Sequence, residues 1–417
     1  MIPSGMFRYC AGLPKIPNEK PGYGFLTQYS GRSLAEICLS FSRMRNKQTT
    51  QIGFCVSPNN NKAKTGGVSL YVFSVVYKTQ ISKIKYYCLA LKEMLCSVVS
   101  KPYNLGRMAE LNLNVDIAPY NARQLRLANP VMVASGTFGY GDEYPHLFDR
   151  NRLGAIVCKA TTLKPREGNP QPRIAETPNG MLNSIGLQNM GVEAVIREKA
   201  PQWYTWNVPV IVNIAAESIE DYAELARRLD KVPGVSGIEV NISCPNVKCG
   251  CIEFGSSPES AARVTDAVRN ATTLPLIIKL TPNTSSIIEL ARAVADAGAD
   301  AISLINTLRG MRIDIKKRRP ILGNHTGGLS GPAIKPVAVS MVYQVSGAVN
   351  VPVIGGGGIM NAEDALEFIM AGATAIQIGT ANLVNPRAPI EVLESLEAYA
   401  RAEGLKSIRE IVGIARS

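Results

Sequence analysis

The first quarter of this 417-residue chain is almost without acid: residues 1–107 hold 3 Asp and Glu against 15 Lys and Arg. The whole chain has 33 acidic and 45 basic residues, so its formal net charge of +12 resides in that leader and the remainder is balanced. A pI near 9.2 is therefore no argument that residues 108–417 bind nucleic acid. Long apolar runs are missing too. The longest in the leader, Val68-Ser-Leu-Tyr-Val-Phe-Ser-Val-Val-Tyr77, is about half of the ~20 residues a membrane helix needs, and is a strand at most. The start lacks the charged head, apolar middle and small-residue cleavage site of a secretory signal. Nine irregularly spaced cysteines make no disulfide framework, which points to a reducing cytoplasm. The Gly-x-Gly-x-x-Gly fingerprint of a dinucleotide site is also absent.

Residues 1–107 show no sustained period of 3.6 or 2 and are interrupted by Pro3, Pro14, Pro17, Pro21, Pro58 and Pro102. A segment that buries little apolar surface does not recover its ordering entropy of ~1–2 kcal/mol per residue. The expectation is a disordered basic extension lying upstream of a native start at Met108. A transit-like or membrane-binding leader is the competing reading, since acid-poor basic leaders also serve as targeting segments.

From residue 108 apolar strand-like runs alternate with helix-like periodic segments, the pattern of parallel α/β architecture. Eight runs stand out, at 130–134, 155–160, 208–214, 237–243, 275–281, 301–306, 352–356 and 375–379. Helices are expected at 218–231, with Ser218 as N-cap, and at 257–270, 285–297, 333–346, 361–371 and 389–403. Eight such units predict a TIM (β/α)8 barrel over 108–417; a doubly wound open sheet fits less well because no nucleotide-binding turn follows the first run. Function then belongs at the C-terminal ends of the strands.

The most chemically loaded of those ends is Asn241-Ile-Ser-Cys-Pro-Asn-Val-Lys248. A thiol with a reference pKa of about 8.5 becomes a usable general base near neutral pH once its thiolate is modestly stabilised. The amides of Asn241 and Asn246 each offer a donor and an acceptor, which suits a flat ring of amides and ureas such as a pyrimidine. Pro245 keeps the segment out of a helix. Free cysteine is also a commonly buried residue type, so the loop alone leaves a core role for Cys244 open. Gly355-Gly-Gly-Gly358 after run 7 and Gly379-Thr380 after run 8 occupy the usual phosphate position of the fold, where bare backbone N–H groups meet an anion.

Together with Ala134-Ser-Gly-Thr137, Asn183-Ser-Ile-Gly-Leu-Gln-Asn189, Ile278-Lys-Leu-Thr-Pro-Asn283, Ile305-Asn-Thr307 and Gly328-Leu-Ser-Gly-Pro332, these motifs make the chain from about residue 115 resemble the class 1 dihydroorotate dehydrogenases. The resemblance implies one FMN per chain, with its phosphate at Gly357, Gly358, Gly379 and Thr380. Ser135, Lys159, Ala160, Asn213, Asn241, Lys279, Ile305 and Gly331 would surround the rest of it. It places the substrate against Lys159, Asn183, Ser184, Ile185, Gly186, Leu187, Asn241, Asn246, Asn306 and Thr307. Cys244 becomes the catalytic base, and Lys279 the cation facing the charge that gathers near flavin N1.

Cysteine rather than serine as the base points to class 1 instead of the membrane-associated class 2. The Asn183–Asn189 loop and the ending Gly413-Ile-Ala-Arg416 look like the NAD-linked subgroup of class 1. In that subgroup FAD and a 2Fe–2S cluster sit in an electron-transfer partner, and two copies of each chain form a heterotetramer. Cys244, Cys249 and Cys251 miss the plant-type cluster spacing and would consume the base, so no metal is expected in this chain. The implied enzyme is cytoplasmic, with no nucleic-acid or membrane partner, and oxidises (S)-dihydroorotate to orotate in UMP synthesis. A fumarate-linked class 1 enzyme, a dihydropyrimidine dehydrogenase module and a non-redox phosphate-binding barrel remain as alternatives, as does a nucleic-acid- or membrane-binding role for the leader.

Overall fold

In a computed structural model, the structure describes residues 111–143, 146–243 and 254–416, together with five short strands between residues 27 and 77. The chain divides into Met1–Arg107 and Met108–Ser417. In the first unit Thr27–Gly31 pairs antiparallel with Val68–Val72, while Ile37–Ser42, Thr50–Val56 and Val75–Tyr77 form an antiparallel sheet in that order. The run at 68–77 is thus two strands, whereas the expectation of disorder falls largely on residues outside those described.

The second unit is built on eight parallel strands: β1 Val131–Val133, β2 Ala155–Val157, β3 Val210–Ile214, β4 Gly237–Asn241, β5 Leu276–Lys279, β6 Ala301–Leu304, β7 Val353–Gly356 and β8 Ala375–Ile378. They close in chain order into a barrel, with β8 pairing back onto β1. Every one lies within a run expected from the sequence. Nearly all their residues are buried, which is why these segments read as continuous apolar runs: a parallel strand with side chains filling the barrel on one face and helices covering the other has no solvent side.

The outer helices follow the same logic. In α1, Ile219–Leu229, the buried residues Tyr222, Leu225, Ala226 and Leu229 recur at helical spacing, and Ser218 caps the start by accepting from the Asp221 N–H. α2, Pro258–Arg269, is capped by Ser257 and buries Ala261, Val264, Thr265 and Val268. α3 is Ile287–Asp296, α4 Lys335–Ser346, α5 Ala362–Ala371 and α6 Ala388–Ala402. α5 begins with a reciprocal cap in which Asn361 accepts from the Asp364 N–H and Asp364 accepts from the Asn361 N–H. Asp364 also accepts from Lys335 Nζ at 2.7 Å, so this cap ties α5 to the start of α4. Asn361→Ala is expected to destabilise the fold by about 1 kcal/mol in urea denaturation with an unchanged slope.

Two features were not expected. A helical stretch at 192–203 contains a wider π turn at Val195–Lys199. An antiparallel sheet, ordered Ile174–Thr177, Gly180–Asn183, Gly327–Ser330 and Leu308–Gly310, joins the excursion after β2 to the one after β6. Its central pairing, Leu182 with Leu329, unites residues far apart in sequence, which no local pattern announces. At the other end of the barrel, a Cβ on Gly237 at the start of β4 would lie 3.5 Å from Leu125 Cδ2. Among the described residues no helix is long and apolar enough to cross a membrane.

Candidate active site

A cavity of about 350 Å³ opens at the C-terminal ends of the strands. The loop after β1 contributes Ser135; the start of the excursion after β2 contributes Lys159 and Ala160, and its later part Asn183, Ile185, Gly186 and Leu187. β4 and β5 end in the cavity with Asn241 and Lys279, and Ile305, Asn306 and Thr307 follow β6. Gly331, Gly357 with Gly358, and Gly379 with Thr380 complete the wall. Asn213 and Ser184 are fully buried and do not line it; the Ser184 hydroxyl is engaged by Asn169 Nδ2 at 3.0 Å. Cys244 and Asn246 lie outside the described residues, but Ser243, immediately before Cys244, does line the cavity.

The glycine end is shaped by close backbone approach. Gly357 and Gly358 have φ of +123° and +91°. A Cβ on Gly358 would lie 2.8 Å from Lys335 Cβ and 2.9 Å from the Gly331 carbonyl oxygen, so the site admits no side chain there. Lys335, the nearest cation, is committed to Asp364 at 2.7 Å and Glu367 at 2.6 Å, and those carboxylates hold its ammonium above the usual lysine range. An anion entering here would meet backbone N–H groups rather than that lysine. Thr380 and Ser330 share a hydroxyl–hydroxyl bond of 2.8 Å across the mouth of the site.

The amide wall is organised by short bonds. Asn306 Nδ2 donates to Asn241 Oδ1 at 3.2 Å, and Tyr222 Oη from α1 donates to the Asn241 carbonyl at 2.7 Å. Asn283 Nδ2 donates to the Thr307 carbonyl at 3.1 Å and fixes that residue from behind. Lys159 is half-buried; burial pushes its ammonium below the ordinary lysine value, with the Glu143 carboxylate opposing and Arg173 adding to the depression. Its neighbour Cys158 is fully buried, and burial pushes that thiol up to about 12, so it stays protonated and is no candidate base.

Beneath the opening lies a polar layer. Lys279 Nζ stands 3.3 Å from Gln377 Oε1, 3.5 Å from Ser135 Oγ and 3.6 Å from Glu239 Oε1. Glu239 also accepts from Asn213 Nδ2 at 2.7 Å, Ser303 Oγ at 2.9 Å and Gln377 Nε2 at 2.7 Å. Glu239, Ser303 and Gln377 were not singled out from the sequence. The available signal was a lone polar residue inside an otherwise apolar buried strand, as in Gly237-Ile-Glu-Val and Ala375-Ile-Gln-Ile.

The family model described as dihydroorotate dehydrogenase matches residues 118–399. The catalytic subunit of dihydroorotate dehydrogenase B (NAD(+)) from Geotalea uraniireducens is 56% identical over 306 residues, covering 73% of this chain and 99% of that protein. The protein of the same description from Desulforamulus reducens is 56% identical over the same shares. Among solved structures, a dihydroorotate dehydrogenase from Eimeria tenella in complex with ferulenol superposes with a TM-score of 0.62 at 22% identity, covering 78% of this chain and 94% of that one, a likeness of fold.

Proposed function

The chain belongs to the dihydroorotate dehydrogenase family, and from that premise we propose that it is the catalytic subunit of an NAD-linked dihydroorotate dehydrogenase, oxidising (S)-dihydroorotate to orotate in UMP synthesis. The observation that carries this reading is the convergence, from seven strand ends into one cavity, of amides, an ammonium and bare glycine backbone. That set matches a flat, amide-rich, anionic substrate beside a phosphate-bearing cofactor.

The residues present suit FMN. The phosphate would be held by Gly357, Gly358, Gly379 and Thr380, and at Gly357 and Gly358 the close packing of Ala338, Lys335 and Gly331 keeps the backbone bare of side chains. Asn213 Oδ1 is buried with no hydrogen-bond partner, an acceptor suited to an N–H of an isoalloxazine ring. Ser135, Lys159, Ala160, Asn241, Lys279, Ile305 and Gly331 would enclose the remainder. FMN supplies the acceptor for a hydride. In the oxidation a proton leaves C5 for the Cys244 thiolate while a hydride leaves C6, and the electron pair of the broken C5–H bond becomes the C5=C6 double bond. Asn183, Ile185, Gly186, Leu187, Asn246, Asn306 and Thr307, with Lys159 and Asn241, would hold the substrate, with Ser184 supporting their loop from behind through Asn169; the ammonium of Lys159 is the group that would meet the substrate carboxylate.

The unit carrying this chemistry is 108–417, with 1–107 a basic extension outside it, in a cytoplasmic enzyme. Electrons pass on through a partner subunit carrying FAD and 2Fe–2S, two copies of each chain forming the assembly. The absent dinucleotide fingerprint motivates a test: the purified chain is expected to reduce an artificial dye with dihydroorotate but not NAD, and NAD reduction is expected only after the partner is added. Efficient NAD reduction by the chain alone would overturn the assignment to this subgroup. A colourless protein that takes up no FMN would overturn the flavin reading altogether.

A further inference from the structure

Glu239 is the one fully buried acidic side chain among the described residues of the barrel strands. It sits on β4 between Ile238 and Val240, and four other strands each aim a donor at it. Asn213 of β3 and Lys279 of β5 reach Oε1; Ser303 of β6 and Gln377 of β8 reach Oε2. Two amide groups, a hydroxyl and an ammonium thus surround a carboxylate inside an apolar barrel, so that both of its oxygens are met by donors. Glu239 itself does not touch the cavity, but two of these partners, Lys279 and Gln377, line it. Gln377 bridges the pair, donating to Glu239 through Nε2 and accepting from Lys279 through Oε1. The carboxylate therefore holds the ammonium in place from below and opposes part of its positive field where that field enters the cavity.

We propose that Glu239 is a positioning residue that sets the reduction potential of the flavin bound above Lys279, by restraining that ammonium and lowering the positive potential it projects. The inference rests on the FMN reading given above. A reduced isoalloxazine carries negative charge near N1, so a stronger positive field favours the reduced form and raises the potential, and a buried counter-charge lowers it. For a chain whose electrons go on to NAD, a weak oxidant, a potential held low keeps the onward transfer favourable.

The test is a spectroelectrochemical titration of the FMN-loaded full-length chain. Glu239→Gln is close to isosteric; it removes the charge and keeps one carbonyl oxygen as acceptor for part of the surrounding donor set. At a fixed applied potential this variant is expected to raise the ratio of reduced to oxidised flavin about tenfold or more, which for a two-electron couple is an upward shift of about 30 mV or more. Glu239→Asp, which keeps the charge, is expected to stay nearer the native value. Ser303→Ala leaves the carboxylate less shielded and is expected to move the ratio roughly threefold the other way. An unchanged or lowered potential in Glu239→Gln, or equal shifts in the Gln and Asp variants, would overturn the proposal. Should Glu239→Gln fail to fold, Ser303→Ala decides: an unmoved potential there overturns it. Failure of the native chain to bind FMN would refute the functional reading instead, so the two failures are distinct.

Discussion

Replacing Cys244 by serine is expected to leave FMN bound and to lower dihydroorotate oxidation at pH 7 by about 10²–10⁴-fold, the usual contribution of a positioned general base. The thiol begins from a reference pKa of about 8.5, whereas a serine hydroxyl is far too weak an acid to supply the base unaided. The deficit is therefore expected to narrow as pH rises. Although Cys244 is outside the described residues, β4 delivers the chain to the cavity just before it. Asn241 Oδ1 accepts from the Ser243 N–H at 3.2 Å, and Ser243 Oγ donates to the Lys279 carbonyl at 3.1 Å. Cys158 cannot substitute, because burial holds its thiol up at about 12. Steady-state rates with a dye acceptor across pH 6–10 decide the matter: a Cys244→Ser rate equal to the native one at pH 7 would remove Cys244 from the mechanism.

The second large effect is expected at Lys279. Lys279→Met removes the ammonium 3.6 Å from a carboxylate that has no exposure to solvent, and so leaves Glu239 as an uncompensated buried charge. Breaking a buried pair from one side typically costs about 3–5 kcal/mol, because the remaining ion has lost both water and partner. Denaturant unfolding of the flavin-free chain is expected to show a loss of that order, and FMN titration a weakened affinity or a lowered reduction potential. Adding Glu239→Gln to Lys279→Met is expected to restore much of the stability, since the stranded charge is then gone; the two substitutions share a contact and are not additive. Native stability together with native flavin binding in Lys279→Met would show that the pair carries neither role.

Much of this barrel was legible without coordinates. Each strand of the parallel barrel is buried on both faces, so each announces itself as a short continuous apolar run, and each outer helix shows its buried stripe at 3.6-residue spacing. Helix starts were equally readable, because a cap is a contact between residues three apart: Ser218 accepts from the Asp221 N–H, and Asn361 from that of Asp364. The glycines of 355–358 and the amides at the ends of β4 and β6 could be placed on one rim, since the fold assigns all C-terminal strand ends to the same face. Once the eight runs are recognised, that much follows from local pattern and a single topological rule.

Only the tertiary structure decided the rest, and the missed features share a cause. The sheet that unites Gly180–Asn183 with Gly327–Ser330 depends on a pairing between two excursions that are strangers in sequence, and its strands are too short and glycine-rich to carry a period of their own. Asn213 and Ser184, expected at the cavity surface, lie just behind it. For Asn213 the reason is that the layer a side chain reaches inside a closed barrel depends on strand tilt and register, whereas Ser184 follows a strand of the separate sheet and turns back onto Asn169. Glu239 is the sharpest case. Its partners Asn213, Lys279, Ser303 and Gln377 come from four other strands, two flanking β4 and two from across the barrel, all distant from it in sequence. Sequence alone shows a carboxylate in an apolar run; strand register sets it beside Asn213 of β3 and the Lys279 ammonium of β5, and the closed barrel brings Ser303 of β6 and Gln377 of β8 across to it.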